Sequence, residues 1–259
     1  APGNLTTTPP SHTQVDLAWS DNSNNEDGFR IERCMGSGCS TFVEIQVTGP
    51  NAVAFSDSGR APMTVYRYRL RAYNAVGNSA YSNESETMTL PPPPPSAPSG
   101  LTATPISSTQ VDLSWVDTSP SEDGFRIERC QGAGCTSFTE VLTVGPNVVA
   151  YSDTGRSPGT DYRYRVLAYN AGGNSAYSNI ANATTLPPPP PSAPTGLTAT
   201  PISHTQVSLS WTDNSSSEDG FKIERCQGAG CTSFAEIGSV SASVVTFTDS
   251  GGSPSTDYR

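Results

Sequence analysis

The sequence predicts an all-β chain built from tandem, seven-stranded antiparallel sandwiches. Three observations predict it. First, Trp19, Trp115 and Trp211 recur at an interval of 96 residues. Second, short stretches of the chain alternate apolar and polar residues, and none shows the helical period. Third, runs of five consecutive prolines separate the copies, and such runs form extended, semi-rigid polyproline II spacers.

The 96-residue interval divides the 259 residues into two whole copies and a shorter third copy. We predict repeat 1 over residues 1–90, repeat 2 over 97–186 and an incomplete repeat 3 over 193–259. Polyproline linkers at 91–96 and 187–192 join them. At ~3.1 Å per residue, each linker should hold its neighbours about 15–20 Å apart.

The first strands of repeat 1 are short and half-buried. A strand at 5–9 is followed by a strand at 14–20, whose alternation turns Trp19 inward. A polar loop then leads to a third strand at 29–33, in which Phe29 faces the core. Two further short strands flank a Gly-Pro-Asn turn.

The cysteines follow the third strand and lie in Gly-rich turns, one pair in each repeat. One close pair per repeat predicts a local disulfide and an oxidising compartment. A metal site is the alternative, but two thiols without a nearby histidine fall short of four ligands. The predicted pairs are Cys34/Cys39, Cys130/Cys135 and Cys226/Cys231.

The sixth strand of repeat 1 is the most regular. In residues 66–74, two tyrosines, a leucine and an alanine share one face, while three arginines share the other. A turn follows, and we expect a seventh strand from Ser79 to Leu90. Seven such strands in about 90 residues are typical of a two-sheet antiparallel sandwich.

These residues carry a family resemblance. Trp19, Phe29 and the pattern Thr-x-Tyr-x-Tyr-x-Leu-x-Ala-x-Asn-x-x-Gly over 64–77 resemble a fibronectin type III module, which has an immunoglobulin-like β-sandwich fold. The resemblance implies that Tyr66 and Tyr162 make the corner hydrogen bond of the family. The matching tryptophans and tyrosines are Trp19, Tyr66, Trp115, Tyr162, Trp211 and Tyr258.

The cysteine turn and the proline linkers make the repeats similar to the bacterial secreted form of this family. The chain contains no Arg-Gly-Asp triplet, so integrin-type adhesion is not supported.

Repeat 3 departs from the pattern, because it stops at Arg259. It lacks most of the sixth strand and all of the seventh, so we expect Trp211, Phe221 and Ile223 to be exposed. Either the natural chain continues, or a second subunit supplies the missing strands by strand addition.

Composition argues against several classes of function. The net charge of −10 without a basic stripe argues against nucleic acid and anionic membranes as partners. No apolar run is long enough for a membrane helix. His12 and His204 are the only histidines, and no catalytic or cofactor site can be assembled from them.

One loop and one strand face allow alternative interpretations. The Asp-x-Ser-x-Asn-x-Asp pattern at 21–27 resembles a calcium loop, but Glu26 stands where such a loop needs glycine. The arginine face of the sixth strand suits an anionic polysaccharide, or alternatively cross-strand pairing with Glu32 and Glu128.

Candidate glycosylation sites are the sequon asparagines and two linker serines. They are Asn4, Asn83, Asn182, Asn214, Ser96 and Ser192.

The repeats, the stiff linkers and the absence of a catalytic constellation favour a non-catalytic extracellular protein, secreted or at the cell surface. One hypothesis is a filament, stalk or surface fibre, in which the repeat associates with further copies of itself. The other is an accessory binding or spacer module of a secreted polysaccharide-degrading enzyme or an adhesin, with glycans as partners. The fold alone does not choose between them.

Overall fold

The computed structural model describes residues 1–259, and every regular element in it is a β-strand. The all-β prediction is therefore confirmed. No helix in the structure could cross a membrane. The chain divides into two compact units, residues 1–186 and residues 187–259.

Repeat 1 folds into two antiparallel sheets. Its strands are β1 (Gly3–Ser11), β2 (Gln14–Ser20), β3 (Gly28–Met35), β4 (Val43–Val47), β5 (Ala54–Ser58), β6 (Val65–Asn74), β7 (Gly77–Asn78) and β8 (Ser85–Met88). One sheet has the order β1-β2-β5, and the other has the order β4-β3-β6-β7 with β8 also paired to β6. The seven expected strands are present, and the short β7 extends β6 into a hairpin.

Repeat 2 has the same two sheets. Its strands are β9 (Ser99–Ser107), β10 (Gln110–Val116), β11 (Gly124–Gln131), β12 (Thr139–Val144), β13 (Ala150–Thr154), β14 (Asp161–Asn170), β15 (Gly173–Asn174) and β16 (Ala181–Thr184). The sheet orders are β9-β10-β13 and β12-β11-β14-β15, with β16 on β14.

Each repeat in residues 1–186 has its own core between the two sheets. Trp19 of β2 packs edge-on against Phe29 of β3, with ring centroids 5.6 Å apart, and Trp115 meets Phe125 at 5.8 Å. The inward residues of β6 and β14 are buried as their alternation predicts. The contact between the tryptophan of one sheet and the phenylalanine of the other joins the two layers of the sandwich.

The expected seventh strand is shorter than the sequence suggested, because only Ser85–Met88 forms a ladder. Upstream, two serines take over the pairing with β6. The Ser79 N–H donates to Ala72 O while the Ala72 N–H donates to Ser79 Oγ, and Ser82 pairs with Leu70 in the same way. Serine hydroxyls thus replace backbone carbonyls along this edge.

Repeat 3 forms two smaller sheets. Its strands are β17 (Thr195–Pro201), β18 (Val207–Thr212), β19 (Gly220–Arg225), β20 (Ala235–Ser241) and β21 (Thr246–Asp249), ordered β17-β18-β21 and β19-β20. The core residues of repeat 3 are less exposed than the sequence analysis predicted. Ile223 is only 7% exposed, and Trp211 and Phe221 are half-buried, because their rings still pack across the sheets at 5.4 Å.

Candidate functional site

The cysteine turns lie at the end of the third strand of each repeat. All six cysteines are in disulfides, which join Cys34 to Cys39, Cys130 to Cys135 and Cys226 to Cys231. Each bridge has a Cα–Cα distance of 6.0 Å, which lies within the usual range for a disulfide. In the structure, each pair of sulfurs thus forms a local bridge within its own turn.

The two cysteines of each pair differ in their surroundings. The first cysteine ends the third strand and is buried: Cys34 and Cys130 are each 6% exposed, and Cys226 is 5% exposed. The second cysteine lies in the turn and is half-buried, at Cys39, Cys135 and Cys231. Each bridge closes a short turn, so it stabilises a local loop and leaves the sandwich to the core.

The tyrosine expected at the corner of each repeat makes a corner hydrogen bond. The Ala61 N–H donates to Tyr66 Oη at 3.0 Å, and the Ser157 N–H donates to Tyr162 Oη at 3.0 Å. Tyr258 accepts the same bond from Ser253 at 2.9 Å. These tyrosines hold the loop that precedes the sixth strand.

A buried ion network that the sequence analysis missed lies beside that corner. Asp57 accepts hydrogen bonds from Arg33 at 2.6 Å and from the hydroxyl of Tyr68 at 2.9 Å. Arg60 approaches the same carboxylate at 3.3 Å. Burial, together with the hydrogen bond to Asp57, raises the pKa of Tyr68 above its ordinary value.

Repeat 2 has the same network, and its aspartate, Asp153, is 2% exposed. Arg129 and Tyr164 contact it at 2.7 and 2.8 Å. Arg156 approaches the same carboxylate at 3.3 Å. A buried carboxylate is tolerated here because these two arginines and a hydroxyl satisfy it. The detectable signal was the recurrence of the aspartate and the arginine at the 96-residue interval.

The arginine face of the sixth strand is paired within its own sheet. Glu32 accepts from Arg69 at 2.7 Å and from Tyr81 at 2.7 Å. Arg69 is also stacked between the rings of Phe42 and Tyr81, at 4.1 and 3.9 Å from their centroids. Burial alone would raise the pKa of Glu32, but the bonds from Tyr81 and Arg69 outweigh it and lower the pKa below its ordinary value.

In repeat 2, Arg165 contacts Glu128 at 2.6 Å. This geometry matches the cross-strand pairing alternative, because the guanidinium groups already have carboxylate partners.

The calcium-like loop is held by its own side chains. Asp21 Oδ1 accepts from the Ser23 N–H at 2.9 Å, and Glu26 Oε1 accepts from the Asn51 N–H at 3.1 Å. His12 lies half-buried in the turn between β1 and β2, and His204 is exposed.

The candidate glycosylation residues lie at the surface, but Asn83 has a structural role. Its side chain accepts from the Leu5 N–H and donates to Leu5 O, both at 2.9 Å, so it connects the segment before β8 to β1 of the other sheet. Asn179 and Leu101 repeat the arrangement in repeat 2. Asn182 is bonded to Arg163, and Asn214 to residues 193 and 195.

The first linker packs onto repeat 2. The side chain of Asn170, at the end of β14, donates to Pro93 O at 2.9 Å. At Gly172, in the following turn, a Cβ atom would lie 1.7 Å from Pro92 O, so no larger residue fits without moving the linker. Pro95 and Pro98 are buried. We call Asn170, Gly172 and Gly173 the linker seat.

Repeat 1 has a different residue at one position of the linker seat. At the position of Gly172, repeat 1 has Val76, which is 97% exposed. Because the repeats align without gaps, this single difference was visible in the sequence, but its meaning depends on a contact that only the folded chain shows.

Comparison with known proteins finds a family likeness for repeat 2. Residues 96–184 match the family model described as Fibronectin type III domain. The chain is 29% identical over 170 residues to protein sidekick-1 of Mus musculus, covering 62% of this chain and 8% of that protein. It is 29% identical over 187 residues to endoglucanase B of Cellulomonas fimi, covering 68% of this chain and 17% of that protein.

Among solved structures, a segment of two fibronectin type III domains from chicken tenascin aligns with a TM-score of 0.42 and 20% identity. The alignment covers 71% of this chain and 99% of that segment. The chain thus spans less than a fifth of the curated relatives described above.

Proposed function

We propose that this chain is a non-catalytic extracellular structural protein, because residues 96–184 match the fibronectin type III family model and the other repeats share the motifs of repeat 2. Its rigidly spaced sandwiches form part of a filament, stalk or surface fibre, secreted or displayed by a bacterium, and the repeat associates with further copies of itself.

The observation that carries the proposal is the linker seat. A polyproline linker resists bending along its own length, but its ends remain hinges unless they are fixed. The bond from Asn170 to Pro93 and the close approach at Gly172 fix one end to repeat 2. A load-transmitting fibre needs this restriction, whereas a flexible tether does not.

A second candidate is a spacer or binding module of a secreted polysaccharide-degrading enzyme, and the likeness to an endoglucanase favours it. The same rigid spacing would then hold a catalytic domain away from its anchor. In an adhesin, the same rigid spacing would hold a tip domain away from the cell surface.

Electron microscopy of native material that contains this chain separates these functions. Long uniform fibres with an axial repeat that matches the sandwiches would support the structural role. Dispersed short rods that end in a separate globular domain would overturn it and favour the enzyme or adhesin.

A further inference from the structure

In repeat 1, the disulfide loop binds a carboxylate of its own chain. Glu86, on β8, accepts from the Ser37 hydroxyl and from the Gly38 N–H, both at 3.1 Å. The Nε atom of Arg67 lies 3.5 Å from the same carboxylate. A backbone N–H and a guanidinium group that converge in this way form an anion-binding site.

In repeat 2, the loop keeps the glycine N–H and the arginine but lacks the glutamate. Asn182 stands at the position of Glu86, and Ala133 at the position of Ser37. The Gly134 N–H has no hydrogen-bond partner among the protein atoms, whereas its counterpart Gly38 donates to Glu86. Arg163 is the one arginine of residues 1–186 that forms no ion pair: Arg67, its counterpart, pairs with Glu84 and Glu86.

A groove of about 280 Å³ lies at this place in repeat 2. Gly134, Arg163 and Asn182 line it. Arg163 donates to Asn182 Oδ1 from Nε at 3.1 Å and to Cys135 O from Nη1, so Nη2 is the guanidinium nitrogen that remains for a ligand. Asp161 also lines the groove and is bonded to Thr184. Its charge balances that of Arg163, so an anion should bind weakly and more weakly in salt.

We propose that this groove is a carboxylate-binding site that takes a glutamate side chain from another polypeptide. Repeat 1 fills the equivalent place with its own glutamate, so the ligand class is set by the molecule itself. The source we favour is a second copy of this chain, because repeat 1 shows that a glutamate of this same chain fits the loop. This choice of partner rests on the self-association in the proposed function, but the carboxylate site does not.

Butyrate has the carbon skeleton of a glutamate side chain and tests the site directly. We would titrate the ¹⁵N-labelled full chain with sodium butyrate at constant ionic strength and follow the amide resonances. The Gly134 amide should shift and saturate in the millimolar range, while the Gly38 amide should stay in place. An unresponsive Gly134, or an equal response at both glycines, would overturn the site. Glucuronate binding more than tenfold tighter than butyrate would overturn the glutamate assignment in favour of an acidic glycan.

Reciprocal variants tie the response to the groove. Asn182→Glu should supply an internal ligand and abolish the Gly134 shift, while Asn174→Glu, which adds the same charge on β15, should preserve it. The double variant Glu84→Ile/Glu86→Asn, which copies the residues of repeat 2 into repeat 1, should make Gly38 respond. If Asn182→Glu and Asn174→Glu behaved alike, the groove would not be the binding site. None of these outcomes depends on whether the native material forms fibres, so the two proposals can fail separately.

Discussion

Repeat 1 ends its β6–β7 hairpin in the exposed Val76, whereas repeat 2 has Gly172 there, beneath the linker. The disulfide loops differ in a similar way, because Glu86 fills the loop of repeat 1 and Asn182 leaves a groove in repeat 2. The cores show no such divergence: the tryptophan, the phenylalanine and both tyrosines recur at the same depth. The interior therefore specifies the sandwich, and a few surface positions decide what each copy contacts.

The largest loss of stability should come from breaking the buried aspartate network, which both repeats contain. Asp153→Asn would leave Arg129 and Arg156 without their buried carboxylate, and breaking such a pair costs about 3 kcal/mol. We expect this loss in the unfolding free energy of repeat 2 alone, measured by native-state hydrogen exchange at the amides of β14. Asp57→Asn should do the same to repeat 1, and the exposed Asp123→Asn should change little. Equal losses in both repeats from either variant would show that they do not unfold independently.

Asn179→Ala should have the next largest effect. It removes two hydrogen bonds to the backbone of Leu101, at a cost of about 1–2 kcal/mol. Asn83→Ala should cost the same in repeat 1, and urea denaturation of the two variants would measure both. Asn182→Ala is the control, since its exposed side chain contacts only Arg163. If Asn83→Ala were neutral, the side chain of Asn83 would not join the two sheets.

The acid stability of repeat 1 should depend on Glu32. Its pKa is lower in the folded state, since Tyr81 and Arg69 donate to it. Its contribution is therefore complete above the unfolded value of about 4.3 and disappears as the pH falls through the folded value. Amide exchange in repeat 1, measured between about pH 6 and pH 3, should show this loss of stability, because the range spans the unfolded pKa of glutamate. Glu32→Gln should flatten the profile, and the exposed Glu44→Gln should retain it.

Gly172→Val should change stability least, by less than about 0.5 kcal/mol, yet it tests the main difference between the repeats. The new side chain would displace Pro92, so repeats 1 and 2 should tumble more independently. The ¹⁵N relaxation of each repeat would measure this change. Val76→Gly is the matched control and should have no effect. Unchanged relaxation in Gly172→Val would mean that the linker seat does not fix the linker.

Much of the sandwich could be predicted because strand alternation is a local property. The inward faces of β2, β3 and β6 follow directly from the period of two residues. The seventh strand was predicted too long because Ser79 and Ser82 pair with β6 through their side chains, and this pattern does not alternate.

The candidate sites were harder to predict. A buried aspartate such as Asp57 contradicts the rule that charged residues face solvent, and only its partners from other strands explain it. The linker seat and the groove of repeat 2 depend on segments that are far apart in sequence. For both, the available signal was a substitution between aligned repeats, Val76 to Gly172 and Glu86 to Asn182.

The proline run also has a consequence for how the chain is made. Neighbouring domains with nearly the same strands can exchange them while folding, and such misassembly is a common failure of repeat proteins. Residues 91–95 offer no N–H groups, so a ladder that begins at β8 cannot extend through them into the next repeat. We expect that replacing these prolines with glycine and serine would increase the swapped fraction after rapid refolding, measured by size-exclusion chromatography. The linker thus prevents strand exchange between neighbouring repeats while they fold.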